Sequence, residues 1–338
     1  MIRRFALVLL VVAAGCSATS AASAPKATPP SPSANSVPSP VASANGWLAY
    51  QSVSPRGDDG VFLVRTDGSD DHEILTDLPG RHAHPDFSRD GRYLAIDQLV
   101  SEDQVYVADA DGSGARLVAP CRPPECVSHW EPAWSPDGSR LAVSTAGGAG
   151  DPPARFGISI IEVAKETVRP VLDHASRAGQ DHFARWSPDG RRLVFWRARY
   201  GSGGSVTTAV FVVNVNGTGL RRLTPWKLLA GDPDWSPDGS RIVFNTRPLV
   251  DFPDAGQSEL YTIRPNGTGL RRLTAYGPNG PRATQPRWTP DGKAILYTRT
   301  NQEGFPRHIY AINADGTSDA PVLTAKPIYT HPVLQPTP

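Results

Sequence analysis

The chain has 338 residues, of which 31 are Gly and 34 Pro, roughly one in five, where about one in eight is ordinary; a large helical bundle is therefore excluded, because Pro disrupts helix interiors and Gly weakens them. Disorder throughout is excluded too, since 39% of residues are hydrophobic and eight Trp, nine Tyr and ten Phe can build a core. A net charge of +1, from 34 basic and 33 acidic residues without a basic block, argues against a nucleic-acid partner and leaves a turn-rich, mostly β protein.

Arg3 and Arg4 precede the apolar run Phe5 to Ala14, which ends in Gly15-Cys16. That run is too short for a permanent membrane span and suits an export signal. Val12-Ala13-Ala14-Gly15-Cys16 resembles a bacterial lipobox, with Ala13 where that pattern prefers Leu. The resemblance implies that residues 1–16 are a lipoprotein signal peptide and that Cys16 is lipidated. An ordinary cleaved signal with an incidental Cys is the alternative. Residues 17–45 are almost all Ser, Ala, Pro, Thr, Val, Asn and Gly, with Lys26 the only charge. Such a segment buries too little apolar area to offset its ordering entropy, so a disordered tether is expected. Its prolines favour extended conformations, with an upper reach of about 90 Å. Anchor and tether together would hold a folded domain, residues 46–338, clear of a bacterial membrane on its extracytoplasmic side.

Cys121 and Cys126 flank Arg-Pro-Pro-Glu. In an oxidising compartment they could close a small surface loop as a disulfide. A zinc ligand pair is the alternative, although no second cysteine pair accompanies them.

One motif then recurs along the chain: Pro85-Asp-Phe-Ser-Arg-Asp-Gly91, Pro132-Ala-Trp-Ser-Pro-Asp-Gly138, Ala184-Arg-Trp-Ser-Pro-Asp-Gly190, Pro233-Asp-Trp-Ser-Pro-Asp-Gly239 and Pro286-Arg-Trp-Thr-Pro-Asp-Gly292. The Gly-to-Gly spacings are 47, 52, 49 and 53. Each copy precedes a short apolar strand, among them Tyr93 to Ile96, Leu193 to Phe195 and Ile295 to Tyr297. A second hairpin follows, as in Val210-Phe-Val-Val-Asn-Val-Asn-Gly217, and the segment Asn216 to Thr224 recurs identically at Asn266 to Thr274. Ser-Pro-Asp-Gly suits a type I turn with a bulge, and Asn-Gly or Asp-Gly is a strong hairpin signal. Each unit thus reads as a four-stranded antiparallel meander, strands a to d, at the repeat length of a β-propeller blade. Trp47 to Tyr50 reads as a strand b without its strand a, and His331 to Pro336 as a strand a without its strand b. The C-terminal segment is therefore expected to complete the first blade, which makes an all-β, six-bladed propeller and removes two exposed sheet edges.

These Pro-x-Trp-Ser-Pro-Asp-Gly repeats with Asn/Asp-Gly hairpins resemble the TolB-type, WD40-like propeller repeat, over residue 46 to the end. The resemblance speaks for fold and little for function, because propellers host binding modules, peptidase gates and enzymes. TolB carries a separate α/β domain before its propeller, where this chain has the Ser/Ala/Pro segment, so partner binding by that domain does not carry over. The Gly-x-Ser-x-Gly elbow of propeller-gated prolyl oligopeptidases is missing from the sequence, and little length is left for a second catalytic domain.

Trp134, Trp186, Trp235 and Trp288 recur at one position and read as packing between blades. Asp137, Asp189, Asp238 and Asp291 recur in one turn and read as backbone caps. Variation between repeats is more informative. The a–b and c–d turns stay short on one face; the b–c and d–a connections on the other absorb the length changes. The long connections carry Arg155, Phe156, Arg197, Arg199, Tyr200, Arg247, Phe252, Phe305 and Arg307. This Arg and aromatic mixture suits a peptide, an acidic ligand or a glycan. The d–a connections are expected to ring the mouth of the central channel with His82, His84, His129, Glu131, Asp181, His182, Asp232, Gln285 and His331. Five of the eight histidines fall there. Imidazoles and carboxylates on one axis could hold a divalent metal or activate water; a wet, polar channel mouth is the alternative. Oligogalacturonate lyases resemble this arrangement, with a His-rich metal site at a propeller centre, although no motif diagnostic of their chemistry is present here.

Two functions follow as expectations. One is a non-catalytic, monomeric, lipid-anchored scaffold that binds an envelope protein, peptide or glycan through the loop face. The other is a metal-dependent lyase or hydrolase using the channel-mouth ring. The balance lies with the first, and no catalytic residue is assigned.

Overall fold

The structure is a computed structural model and describes residues 46–121, 126–148, 155–175, 179–246, 258–277, 279–301 and 303–337. The expected leader, tether and Cys16 lie outside those residues. So do Arg247 and Phe252.

The described chain forms six four-stranded antiparallel sheets, the blades of a propeller. Five blades are sequential meanders, II to VI, whose innermost strands are Arg81–Phe87, Ser128–Trp134, Gln180–Trp186, Ala230–Trp235 and Arg282–Trp288. Blade I takes its innermost strand, Thr330–Leu334, from the far end of the chain and pairs it with Trp47–Val53. The ring closure expected from the two incomplete units is thus present. Gln335 N donates to the Trp47 carbonyl at 2.8 Å, and Gln335 Nε2 to the Gly91 carbonyl at 2.7 Å. Gly91 has φ +70°, and a Cβ there would lie 2.3 Å from the Pro336 carbonyl oxygen. Only glycine fits beneath this tail.

The repeated turn chemistry acts as its residues suggest. In the third copy of the motif, Gly190 N donates to the Ser187 carbonyl at 2.8 Å and Arg192 N to Ser187 Oγ at 2.9 Å. In the fourth, Asp238 Oδ1 accepts from Ser236 Oγ at 2.6 Å and from Ser240 N at 3.0 Å. The Asn-Gly-Thr segments are hairpin turns, with Thr218 N donating to Asn216 Oδ1 at 3.1 Å and Thr268 N to Asn266 Oδ1 at 3.0 Å.

Side chains alternate across each strand, so every blade has two apolar faces that must be covered by its neighbours. Between blades IV and V, for instance, Val194, Trp196 and Val210 meet Trp235, Ile242 and Phe244. The repeated tryptophans belong to these seams, and Arg140 and Arg192 of one blade lie 4.6 and 5.0 Å from the ring centroids of Trp186 and Trp235 of the next.

Strand b outruns its sequence-based estimate. In blade IV it spans Arg192–Tyr200 and pairs along its whole length with Val206–Asn214, so Arg197 faces Ala209 and Arg199 faces Thr207. In blade III, Arg140–Gly147 pairs with Arg155–Glu162. Arg155, Phe156, Arg197, Arg199, Tyr200 and Arg307 are therefore strand residues near the loop face, not loop residues. The ladder continues through polar residues because alternation, not hydrophobicity, keeps one side of each strand on the neighbouring blade.

Candidate functional site

The innermost strands share one irregularity. Each skips register around a dipeptide whose first residue has a left-handed backbone: His84, Glu131, Phe183, Asp232, Gln285 and His331, with φ between 48° and 56°. Five of these precede a proline. A bulge here bends the strand and re-aims one side chain per blade toward the axis. Left-handed non-glycine residues cost roughly 1 kcal/mol or more each and persist only where their surroundings determine them. Six in equivalent places mark the channel as the specialised part of the scaffold.

Neighbouring blades are stitched through this ring. Glu131 N donates to Asp97 Oδ1 at 3.1 Å, Phe183 N to Glu131 Oε2 at 2.7 Å, and His331 N to Gln285 Oε1 at 3.1 Å. Burial disfavours the Glu131 carboxylate, but the charges of His182 and His84 and hydrogen bonds from His182 and Ser144 outweigh it and hold the group at about 2. Burial likewise works against a charged His84, and Asp97, 2.7 Å from its Nδ1, overcomes this and raises its pKa. Phe183, from blade IV, meets rings of blades II and I: its ring is edge-on to His84 at 5.2 Å and stacked on His331 at 5.7 Å, while His84 and His331 are 4.6 Å apart. The three rings plug the channel.

The predicted channel-mouth set accordingly divides. His84, Glu131, Asp232, Gln285 and His331 are ring positions. His182 is one residue earlier, stacked on Trp196 at 4.5 Å, with Nδ1 3.4 Å from Glu131 Oε1. His82, His129 and Asp181 sit two residues before the ring position, out of equivalence with it. His82 is fully buried. Asp181 forms a two-pronged ion pair with Arg197, Nε to Oδ1 at 2.5 Å and Nη2 to Oδ2 at 2.8 Å. His129 lies beside Cys126, its Nε2 3.2 Å from Sγ. Among the described residues, no three His, Cys, Asp or Glu of the ring itself come together as a metal cluster.

Beyond the plug lies a layer the sequence reading missed, two residues after four of the six ring positions: Asp86, Arg185, Asp234 and Arg287. Arg185 Nη1 donates to the Pro132 carbonyl at 2.9 Å and is 3.6 Å from Asp86 Oδ1. Asp86 and Asp234 accept the backbone N–H of Trp134 and Trp288 at 2.8 and 2.9 Å. Burial raises both carboxyls, Asp234 to about 7 against the pull of Arg185. Asp86, Asp234 and Arg287 of this layer line a cavity of about 340 Å³ on the a–b turn face, walled by the repeated Trp and Pro residues. The available signal was the charge alternating at the variable position of Pro-x-Trp.

On the opposite, loop-bearing face, Arg199 stacks on Trp226 with its guanidinium carbon 4.1 Å from the ring centroid, and Arg222 approaches the same ring at 5.7 Å. Tyr200, the next residue along the strand and so on its other side, is 57% exposed and donates to Gln180 Oε1 at 2.7 Å. Phe305 is 44% exposed, with Arg307 over its ring at 4.8 Å. Arg197 is withdrawn from this surface by Asp181. Arg155 pairs with Asp173, and with the buried Phe156 it lines a cavity of about 570 Å³ in blade III. Cys121 and Cys126 are joined at the edge of that blade, Cα atoms 5.0 Å apart.

This architecture defines a six-bladed β-propeller of four-stranded blades. Residues 85–249 match the family model described as the TolB beta propeller domain. The chain is 28% identical over 179 residues to the uncharacterized peptidase YuxL of Bacillus subtilis, a stretch covering 52% of this chain and 23% of the peptidase's own length. TolB from Acinetobacter baumannii superposes with a TM-score of 0.66 at 17% identity, over 86% of this chain and 66% of TolB. An oligogalacturonate lyase in complex with manganese superposes with a TM-score of 0.51 at 17% identity, over 82% of this chain and 74% of the lyase. These structural likenesses are likenesses of fold.

Proposed function

We propose that the protein is a lipid-anchored extracytoplasmic binding propeller that recognises an envelope protein, peptide or glycan through its loop-bearing face. The reading rests on one contrast. At the level where a channel metal would sit, the rings of Phe183, His84 and His331 pack against one another, whereas Arg199, stacked on the half-buried Trp226, and Tyr200, on the other side of the same strand, are exposed at the loop-bearing end of blade IV. Arginine and exposed aromatics are what binding hot spots are made of. The apolar run ending in Cys16 and the Ser/Ala/Pro segment after it supply the anchor and the reach.

Peptide and glycan arrays probed with the full chain test this, comparing wild type with Arg199→Glu and Tyr200→Ser. Both positions are exposed, so melting temperature should hold while array binding falls at least about tenfold for a hot-spot pair. Undiminished binding by both variants would refute the placement. The alternative, a metal-dependent lyase or hydrolase at the channel, draws support from the neighbouring His84, His331 and Gln285, with Gln285 Nε2 2.9 Å from His331 Nε2. The fit is poor, because the ring brings two imidazoles and an amide beside a phenyl plug, and its Glu131 is committed to Ser144 and the Phe183 amide. Elemental analysis of tagless protein, with thermal shifts in Mn, Zn, Ca and Ni salts, separates the two readings.

A further inference from the structure

Blade III carries a group of side chains that the binding face does not use. Cys121 and Cys126 stand just before the strand Ser128–Trp134, and His129 is the second residue of that strand. One ligand atom from each of the three residues lies within 4.8 Å of the other two. Cys126 Sγ is 3.2 Å from His129 Nε2. His129 is 2% exposed. Its ring also engages the Ala119 backbone, the Oγ1 of Thr145 is buried without a hydrogen-bond partner, and both residues line the 570 Å³ cavity together with Cys126. A buried hydroxyl in a cavity wall without a partner is costly unless a ligand or water satisfies it. Two sulfurs and one imidazole are the donor set of a thiophilic cation, and three protein ligands leave a fourth position for water or an exogenous ligand.

We propose that Cys121, Cys126 and His129 form a redox-gated site for a thiophilic divalent metal ion of the zinc type, closed as the disulfide and open as the dithiol. A dithiol reductant delivers two electrons and two protons; the sulfur–sulfur bond breaks, and the reductant leaves as its own disulfide. Metal entry then displaces both thiol protons to solvent, and His129 contributes Nε2 while keeping its proton on Nδ1. The cavity supplies the open position. In the oxidised chain the sulfur lone pairs are those of a disulfide, a weak donor, and the site is shut.

The test uses the full chain carrying Cys16→Ser, so that no third thiol contributes, with cobalt(II) as the probe and zinc(II) as the competitor. After reduction with dithiothreitol and anaerobic desalting, one cobalt per chain should bind, with thiolate-to-metal absorption in the near ultraviolet that zinc abolishes. The oxidised chain should bind none. His129→Gln should weaken cobalt binding by at least about tenfold, since loss of even an outer-shell partner costs that much. Because His129 is buried, its variant is checked by circular dichroism; should it not fold, Cys121→Ser decides, and must lose part of the thiolate absorption. The proposal is overturned if the reduced chain binds no cobalt or binds it without thiolate absorption. It is equally overturned if a folded His129→Gln, or Cys121→Ser in its stead, keeps the parent affinity and spectrum.

Discussion

Replacing Arg197 with alanine would remove the guanidinium that grips Asp181 through two bonds of 2.5 and 2.8 Å. The Asp181 side chain is wholly buried and that of Arg197 only 12% exposed, so the stranded carboxylate cannot recover its hydration. Breaking a buried pair by removing one partner costs about 3–5 kcal/mol, a large share of the roughly 5–15 kcal/mol that holds a domain folded. Packing adds to the loss, because the guanidinium lies 5.2 Å from the centroid of Phe211 and its stem covers apolar surface. The double variant Asp181→Ala/Arg197→Met removes both charges and should recover most of the deficit. Urea titration followed by tryptophan fluorescence measures this as a midpoint shift at constant slope, and the four-way cycle gives the coupling. An Arg197→Ala midpoint equivalent to less than about 1 kcal/mol of loss, the size expected of a solvent-exposed pair, would refute the claim that this pair is desolvated. The result also bears on function: any binding lost on altering Arg197 reports damage to blade IV, while Arg199 reports the surface.

Two further outcomes follow from the channel and the seam. Asp234 titrates at about 7 in the folded chain, raised by burial first and opposed by Arg185, against about 3.9 when unfolded. The folded state therefore holds the extra proton between those values, and this group's contribution to stability falls as pH rises from about 4 to 7. Asp234→Asn should gain melting temperature over wild type progressively across that window; a pH-independent difference would refute the assignment. Leu334 is 8% exposed, in a core cluster with Leu296 and Tyr329. Leu334→Ala should cost about 2–4 kcal/mol in chemical denaturation, and a loss below about 0.5 kcal/mol would mean that the closing strand is not part of the core.

Much of the fold was legible because it rests on local chemistry. Ser-Pro-Asp-Gly and Asn-Gly specify their turns within a few residues, and the unpaired halves of blade I announced the closure. The channel was harder to read. A bulge changes which residue faces the axis, so His82 and His129 fall out of phase with His84 and Glu131, although all four precede the same motif. Phe183, the plug, carries no polar group to mark it, yet it stands at the position directly before the motif, as His84 and Gln285 do. The withdrawal of Arg197 depended on a partner 16 residues away, a contact between strands a and b that no local pattern encodes. His129 meeting Cys126 is concealed in the same way, since the bulge that takes His129 out of the channel ring is not written in the residues around it.

The strand that completes blade I has a consequence for how the chain is made. Ser52 bonds the Ile328 carbonyl across a sequence separation of 276, and joining ends that far apart costs about 5 kcal/mol of chain entropy, against about 2 kcal/mol for a short hairpin. Blades II to VI each contain all four of their strands and can assemble locally as they emerge. Trp47–Val53 cannot be covered until Thr330–Leu334 has been synthesised. For most of translation, Leu48 and Tyr50 therefore sit on an open strand edge, the kind that recruits other chains. The earliest strand of the domain is the one that waits longest for protection, and a holding chaperone would find its target there.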